Sequence, residues 1–232
     1  MYRIYVPHID KTGGQSVELM LIEAAERNSW TYDHNAGSEF PDNAPDNYMR
    51  LGMHQEYDPR HISEDWFKLL IVRNPLHRFI SAYNFFRYEI YRDTGEKIPL
   101  TVKEFCRLTL MKNGIGSFEV PALLREPRGY VTMIDALNAE QLTSGFKFTT
   151  ENVFDVFDHV TDTDKIIKLD EIFEPLGLIV NTGVHVNYAG QHMDDDILTI
   201  ETITDEEAEI IRKLPDFGRD VKLWSLYNAN YK

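Results

Sequence analysis

The sequence predicts an α/β fold: a three-layer domain with a mostly parallel central sheet flanked by helices. Three observations predict this class. Short apolar runs that are typical of buried strands alternate along the chain with segments of helical periodicity. Two of these runs are followed at once by polar loops, each of which leads into a helix. With 232 residues and 43% hydrophobic content, the chain can bury a full core, so we expect one domain over residues 1–232.

The first part of the chain predicts one strand, one helix and one long loop. Residues 2–6 form a short apolar strand, and Pro7, which cannot donate to a ladder, closes it. Residues 33–48 are rich in Asn, Asp, Pro and Gly and predict a long irregular loop, a kind of segment that is often functional. Between them, apolar residues recur at the spacing of one helical face: Val17, Met20, Leu21, Ala24 and Ala25.

The later elements continue this alternation. Leu69 to Val72 is a continuous apolar run, as expected for a parallel strand covered on both faces, and Pro75 stands where the next helix would begin. Residues 165–169 (KIIKL) predict another short buried strand, followed by a helical segment. Two residue pairs match the capping box of a helix start: Thr101 with Glu104, and Thr204 with Glu207.

The composition excludes several classes of protein. No apolar run approaches the length of about 18 residues that a membrane span needs, and no signal peptide precedes the first strand. The single cysteine, Cys106, excludes an internal disulfide and fits a reducing compartment. We therefore expect a cytoplasmic protein.

The acidic charge is unevenly distributed. The net charge is −14; residues 1–92 hold 10 Lys and Arg against 13 Asp and Glu, which gives −3 and leaves −11 for residues 93–232. A general nucleic-acid-binding surface would be basic, so no nucleic-acid partner is expected. Any anion site must be a local pocket, and the first part of the chain is the better place for it.

The first candidate site is the glycine loop, KTGGQS at residues 11–16, which follows the first predicted strand. The nucleotide-binding pattern GxxxxGK[ST] has its lysine after the glycines, so it does not fit here. Gly13 and Gly14 lack the Cβ atoms that would keep an anion away from the amides at the helix start. Lys11 adds a charge and Thr12 a hydroxyl donor. The alternatives are a phosphate or sulfate site and an ordinary glycine turn.

The second candidate site follows the LLIV strand. Arg73 leaves the strand, and Ser81 lies eight residues later, about two helical turns, with Arg78 on the same helix face. A guanidinium and a hydroxyl so placed can clamp a second anion, although a strand-end arginine is also common in structural ion pairs. Both sites lie at the carboxyl ends of strands, where open α/β sheets bind ligands. Together they predict a ligand with two separate phosphate-like groups.

The two segments, KTGGQS at 11–16 and VRNPLHRFISAY at 72–83, resemble the carbohydrate-type (family 2) sulfotransferases. The resemblance implies a P-loop-like fold, with 3′-phosphoadenosine 5′-phosphosulfate (PAPS) as the donor and 3′-phosphoadenosine 5′-phosphate (PAP) as the product. It implies that Arg73 and Ser81 hold the 3′-phosphate. It also implies a set of residues around the 5′-phosphosulfate: Lys11, Thr12, Gly13, Gly14, Gln15 and Ser16.

Three positions depart from the family pattern. Asn74 stands where aspartate is usual, Gln15 where threonine or serine is common, and Asp10 where proline is usual. None of these changes removes a group that the phosphate contacts need. The eukaryotic relatives carry a membrane anchor, and this sequence shows none, so we expect a bacterial or viral enzyme.

The chemistry implied by the resemblance needs a cation and a base. Negative charge builds on the leaving-group oxygen in a loose transition state, and Lys11 can reach that oxygen. The donor has no polyphosphate tail, so no metal is required, and we expect no strand after the second that ends in aspartate. His54 is the first candidate for the base because the ordinary pKa of histidine is about 6.5. Glu56 is the alternative, and His61 is the third choice.

Three functions remain open: a sulfotransferase acting on a hydroxyl, expected on a carbohydrate; a nucleotide-dependent kinase with an irregular P-loop; and a non-catalytic nucleotide-binding module. The charge of −11 on residues 93–232 favours an acceptor that is a neutral or weakly charged glycan or small molecule. We expect it to bind near residues 33–50 and Tyr88. The His and Asp residues of 185–196 match no metal-site spacing, so no metal is expected.

Overall fold

A computed structural model of the chain describes residues 2–7, 9, 11–34, 44–52, 66–97, 99–112, 129–139, 147–163, 168–181 and 197–231. The elements in chain order are β1 Arg3–Pro7, α1 Gly14–Asn28, β2 Thr31–Asp33, β3 Tyr48–Gly52, β4 Trp66–Val72, α2 Pro75–Thr94, α3 Val102–Lys112, α4 Met133–Ala139, α5 Val153–Val156, β5 His159–Asp162, α6 Leu169–Phe173, α7 Asp205–Arg212 and α8 Pro215–Tyr231.

The chain divides into two compact units. The sheet unit comprises Met1–Arg73, Met133–Val186 and Trp224–Lys232, and the helical unit comprises Asn74–Thr132 and Asn187–Leu223. Each unit has its own buried apolar cluster. The prediction that residues 1–232 act as one domain stays a prediction.

The sheet unit contains a five-stranded sheet in the order β2-β3-β1-β4-β5. All four strand pairings are parallel. The α/β class with a parallel sheet flanked by helices is therefore confirmed. Because the strands are parallel, their carboxyl ends share one edge of the sheet, which is the edge where such folds bind ligands.

The predicted first strand, first helix and LLIV strand are confirmed. Leu69 to Val72 are at most 1% exposed, as expected for a central parallel strand. The five apolar residues predicted on one face of α1 are all buried against the sheet. Ser29 ends the helix in a left-handed conformation, and its amide bonds the carbonyl of Ala25.

Three strands were not predicted, because polar side chains interrupt their apolar pattern. β2 includes Asp33 and β3 includes Tyr48, the two ends of the segment 33–48 that was expected to be irregular, so that expectation is wrong for these two residues. Arg50 is only 2% exposed and pairs with Asp33 at the end of β2, with 3.5 Å between Nη1 and Oδ2. β5 (HVTD) ends in a buried aspartate. A charged residue that is buried within a strand and paired there interrupts the apolar pattern from which a strand is predicted.

The strand predicted over residues 165–169 is wrong at its end. Lys168 occupies the N-cap position of α6, and Leu169 is the first residue of that helix. The side chain of Leu169 is fully buried in the core of the sheet unit, as the apolar pattern predicted. Residues 165–167 lie outside the described residues. The helical segment predicted next is confirmed by α6, which a 3₁₀ turn at Glu174–Leu176 extends.

The helical unit is built on α2, α3 and α7. Pro75 occupies the first turn of α2, and Asn74 caps the helix by accepting from the amides of Leu76 and His77. Asparagine and aspartate are equally good N-caps, so this departure from the family pattern leaves the helix start intact. Both predicted capping boxes are present, at Thr101 with Glu104 and at Thr204 with Glu207.

Cys106 lies on the buried face of α3, in the apolar cluster of the helical unit. Burial raises the pKa of its thiol to about 12. The thiol therefore stays protonated near neutral pH and acts as a small apolar side chain rather than as a nucleophile.

Candidate functional site

The glycine loop connects β1 to α1 with an unusual backbone. Lys11 has a φ of 67° and Gly13 a φ of 82°, so two of the three residues before α1 are left-handed. Gly13 is the N-cap, and a glycine has no side chain that could bond the first amides of the helix. A non-glycine residue with positive φ is uncommon and costs about 1–2 kcal/mol. Such strain at the start of a helix is typical of a functional loop.

Thr12, between the two left-handed residues, is completely buried. Its Oγ1 donates to the carbonyl of Ile9 at 2.7 Å, and its amide donates to the same oxygen at 3.3 Å. The hydroxyl that was expected to face an anion is therefore used inside the loop. Ser16 is 5% exposed and Gln15 is half-buried, both in the first turn of α1. Gly14 begins the helix.

Arg73 meets the glycine loop directly. It follows β4, and its Nη1 donates to the carbonyl oxygen of Lys11 at 3.1 Å. The two basic residues that the sequence assigned to separate anion sites thus lie at the same edge of the sheet. The guanidinium contributes to the conformation of the loop in addition to any role toward a ligand.

Thr163, which was not predicted as a site residue, also contacts the glycine loop. It follows β5, and its Oγ1 lies 2.6 Å from the carbonyl oxygen of Thr12 and 3.3 Å from that of Val72. Sequence patterns gave no signal for this residue, because β5 itself was not predicted. The ends of β4 and β5 therefore both hold the backbone of the loop.

β5 ends in Asp162, so the expectation that no later strand ends in aspartate is wrong. The side chain is 5% exposed, and its Oδ2 accepts from the hydroxyl of Tyr227 at 3.0 Å. Tyr227 lies in the segment 219–227, which was matched only weakly to the family. The contact explains why a tyrosine is useful there: it pairs a buried carboxylate at the edge of the sheet.

Arg78 belongs to the interior of the helical unit rather than to an anion clamp. Its Nη1 donates to Asp220 Oδ2 at 2.8 Å and to the carbonyl of Val131 at 2.6 Å. Tyr130 donates to the same carboxylate, and its ring lies 4.9 Å from the guanidinium carbon. Burial raises the pKa of the Tyr130 phenol above its ordinary value. Arg78, which was placed on the same helix face as Ser81, is therefore held by these contacts inside the helical unit.

Ser81 lies on α2 in the helical unit and is half-buried. Tyr88, proposed near the acceptor, is also half-buried, and its ring centroid lies 6.2 Å from that of Phe85. The three candidates for the base, His54, Glu56 and His61, lie outside the described residues, as does 35–43 of the predicted acceptor loop. Their roles stay predictions.

The second turn of α1 contributes a carboxylate. Glu18 is half-buried, and burial raises the pKa of its carboxyl above the ordinary range, an effect that His34 after β2 opposes.

Within the described ranges, no group of three or more His, Cys, Asp and Glu residues could hold a metal ion. Residues 185–196 are outside those ranges. No helix among the described residues is long and apolar enough to cross a bilayer.

Residues 1–109 match the model of the Sulfotransferase family, in its family 2 form. The matched segment begins before β1 and ends within α3, so it contains the glycine loop, Arg73 and Ser81. This match, which covers 109 of the 232 residues, supports a sulfotransferase enzyme. PAPS dependence follows from the matched family, and the resemblance noted in the sequence is confirmed.

The match also decides between the functions left open by the sequence. A sulfotransferase takes a hydroxyl-bearing acceptor, so the kinase and the non-catalytic module are no longer favoured. No curated protein matches the chain. The sulfotransferase family therefore defines the reaction and the donor, and the acceptor remains to be proposed.

The left-handed glycine of the loop gives a test with an internal control. Gly13→Ala is expected to lower the free energy of unfolding by about 1–2 kcal/mol, because a Cβ strains a backbone at φ 82°. Gly95→Ala is the matched control: φ there is 74°, and no atom lies within 4 Å of an added Cβ. Urea unfolding should show similar losses in both variants.

Binding of PAP should separate the two variants. Only Gly13→Ala places a methyl group in the glycine loop, so only this variant should bind PAP more weakly in calorimetric titration. Equal PAP affinities in the two variants would contradict a donor site at the glycine loop.

Proposed function

We propose that this sulfotransferase moves the sulfuryl group of PAPS to a hydroxyl of a carbohydrate or a similar small molecule. The observation that carries the proposal is the glycine loop itself. It has two left-handed residues and a glycine at the N-cap, and its backbone is held from two strand ends. Amides at a helix N-terminus favour an anion such as a phosphosulfate.

The donor site is proposed residue by residue. The 5′-phosphosulfate is proposed to lie on the glycine loop formed by Lys11, Thr12, Gly13, Gly14, Gln15 and Ser16, in which the Thr12 hydroxyl bonds the Ile9 carbonyl and so fixes the backbone. Arg73 and Ser81 bind the 3′-phosphate. The contact between Arg73 and the Lys11 carbonyl supports a nucleotide that runs along the carboxyl edge of the sheet, since it places the guanidinium beside the glycine loop.

Lys11 is proposed to act on the leaving group. As the sulfur–oxygen bond breaks, negative charge grows on the phosphate oxygen, and an ammonium placed there stabilises the transition state more than the ground state. The family donor carries a single phosphosulfate, so this charge requires no metal ion. The left-handed φ of Lys11 supports the assignment, because strain at a chain position is kept where geometry is needed for function.

The base is proposed to be His54, with Glu56 as the alternative. Either residue would take the proton from the acceptor hydroxyl as the oxygen attacks sulfur. Both follow β3, whose carboxyl end lies at the ligand-binding edge between β1 and β2. That strand order supports a base beside the glycine loop.

The acceptor is proposed to be neutral or weakly charged. Residues 93–232 carry −11, and each unscreened carboxylate would repel a sulfated chain over about 8 Å at physiological salt. Residues 33–50 and the neighbourhood of Tyr88 are proposed to form its site. The single buried cysteine fits a reducing, cytoplasmic location.

The donor-site assignment predicts different kinetic effects for the two basic residues. Arg73→Ala should weaken PAP binding by about 1.5–3 kcal/mol, the usual contribution of a charged hydrogen bond. Lys11→Ala should chiefly lower kcat, because its contact strengthens as the leaving group departs. Arg92→Ala removes an exposed cation from the end of α2 and should change neither quantity. An unchanged PAP affinity in Arg73→Ala would refute the assignment.

The base assignment predicts a loss of rate without a loss of donor binding. His54→Ala should keep its affinity for PAP and lose about 10²–10⁴-fold in kcat, the usual range for a general base. Glu56→Gln is the matched variant and should retain most of the activity. If Glu56→Gln is the inactive protein and His54→Ala turns over normally, the two roles must be exchanged.

The acceptor proposal is tested by transfer of labelled sulfate from PAPS to a panel of acceptors at physiological salt. Neutral oligosaccharides and glycolipid head groups should be sulfated faster than heparin-like chains. Faster transfer to heparin-like chains would contradict the charge argument while leaving the reaction intact. No transfer to any hydroxylated acceptor, in a protein that binds PAP, would instead indicate a non-catalytic module.

A further inference from the structure

Thr163 contacts two backbone carbonyls at the carboxyl edge of the sheet. Its hydroxyl oxygen lies 2.6 Å from the oxygen of Thr12 and 3.3 Å from that of Val72. A threonine hydroxyl has one proton to donate. The shorter distance assigns that proton to the carbonyl of Thr12, which belongs to a fully buried residue of the glycine loop.

The direction of this carbonyl sets the direction of the next amide. In a trans peptide the C=O and N–H groups are planar and point in opposite directions, and no described peptide bond is cis. A Thr12 carbonyl held toward Thr163 therefore turns the N–H of Gly13 the opposite way, away from β5. Gly13 is the N-cap residue, so this amide adjoins the first amides of α1.

The peptide bond between Thr12 and Gly13 needs such a restraint. Rotating this peptide changes ψ of Thr12 and φ of Gly13, and glycine accepts φ of either sign at little cost. Nothing in the conformational preference of Gly13 keeps its φ at 82°. The preceding peptide is held separately, because the Lys11 carbonyl accepts from Arg73. Thr163 restrains a peptide of the loop that the preference of Gly13 leaves free to turn.

The position of Thr163 is itself fixed by the contacts of the strand that precedes it. It follows Asp162, whose buried carboxylate accepts from the Tyr227 hydroxyl at 3.0 Å, and β5 pairs with β4 up to Asp162. The oxygen of Thr163 therefore has a defined position relative to the loop. A hydroxyl on a rigid element can orient a group to which it bonds more accurately than one on a loop.

We propose that Thr163 is a positioning residue that fixes the Thr12–Gly13 peptide, so that the Gly13 amide faces the phosphosulfate of the donor. The proposal rests on the proposed function, because it assumes that the donor binds at the glycine loop. It assigns to β5, which lies outside the family match, a role in donor binding. Thr163 touches no reacting atom and acts only through the loop.

The test compares Thr163→Val, which keeps the shape and removes the hydroxyl, with Thr163→Ser, which retains it. Thr163→Val should bind PAP about 3- to 30-fold more weakly, the effect expected when a buried carbonyl loses its donor. Thr163→Ser should restore affinity to near the wild-type value. Thr109→Val is the matched control: it removes another bonded hydroxyl, on α3, and should lower the melting temperature without changing PAP affinity.

A second readout uses the protein without nucleotide. The amides of Thr12 and Val17 bond within the loop, to Ile9 and Gly13, so their hydrogen exchange reports the loop conformation. Both should lose protection in Thr163→Val and not in Thr109→Val. Unchanged exchange and unchanged PAP affinity would overturn the proposal, as would a Thr163→Ser protein that behaves like Thr163→Val. If wild-type protein binds no PAP while Thr163→Val still loses protection, the positioning role holds and the proposed function fails.

Discussion

The proposed PAPS site at the carboxyl edge of the sheet depends on how two consecutive carbonyls of the glycine loop are held. Lys11 O is bonded from the end of β4 and Thr12 O from the end of β5. A loop that binds an anion through its amides must turn its carbonyls away from that anion, because a carbonyl oxygen would repel it. Donors at the two strand ends meet this requirement. The parallel sheet brings both strand ends to the loop, so the conformation of the loop depends directly on the fold of the sheet.

The helical unit has a comparable buried polar centre. Arg78, Asp220 and Tyr130 form a cluster of paired groups among aromatic side chains. Removing one member of such a pair leaves a buried charge and typically costs about 3–5 kcal/mol, although the intact pair adds little to stability. The cluster joins the arginine of the VRNPLHRFISAY segment to the aspartate of the terminal segment. The second motif of the family therefore combines a residue proposed for the donor with one that organises the interior.

Particular residues explain which strands and helices could be predicted from the sequence. β1, α1, β4 and the start of α2 were predicted because their buried residues are apolar and periodic. β2, β3 and β5 were missed because Arg50, Asp33 and Asp162 place charged side chains with polar partners where an apolar pattern is expected. The sequence placed Lys11 and Arg73 at strand ends, but it could not indicate that they touch or that Thr163 joins them. Contacts between a side chain and a distant carbonyl leave no local pattern.

The hydrogen bond from Thr163 to Thr12 spans 151 positions, and that from Tyr227 to Asp162 a further 65. A ribosome that adds about 5–20 residues per second would need about 8–30 seconds between making the loop and making Thr163. During that interval a nascent chain holds the glycine loop without its later restraint. Tyr227 is synthesised 64 residues after Thr163, so the contact that supports Thr163 forms later still. The glycine loop is thus made long before the contacts that give it its working shape.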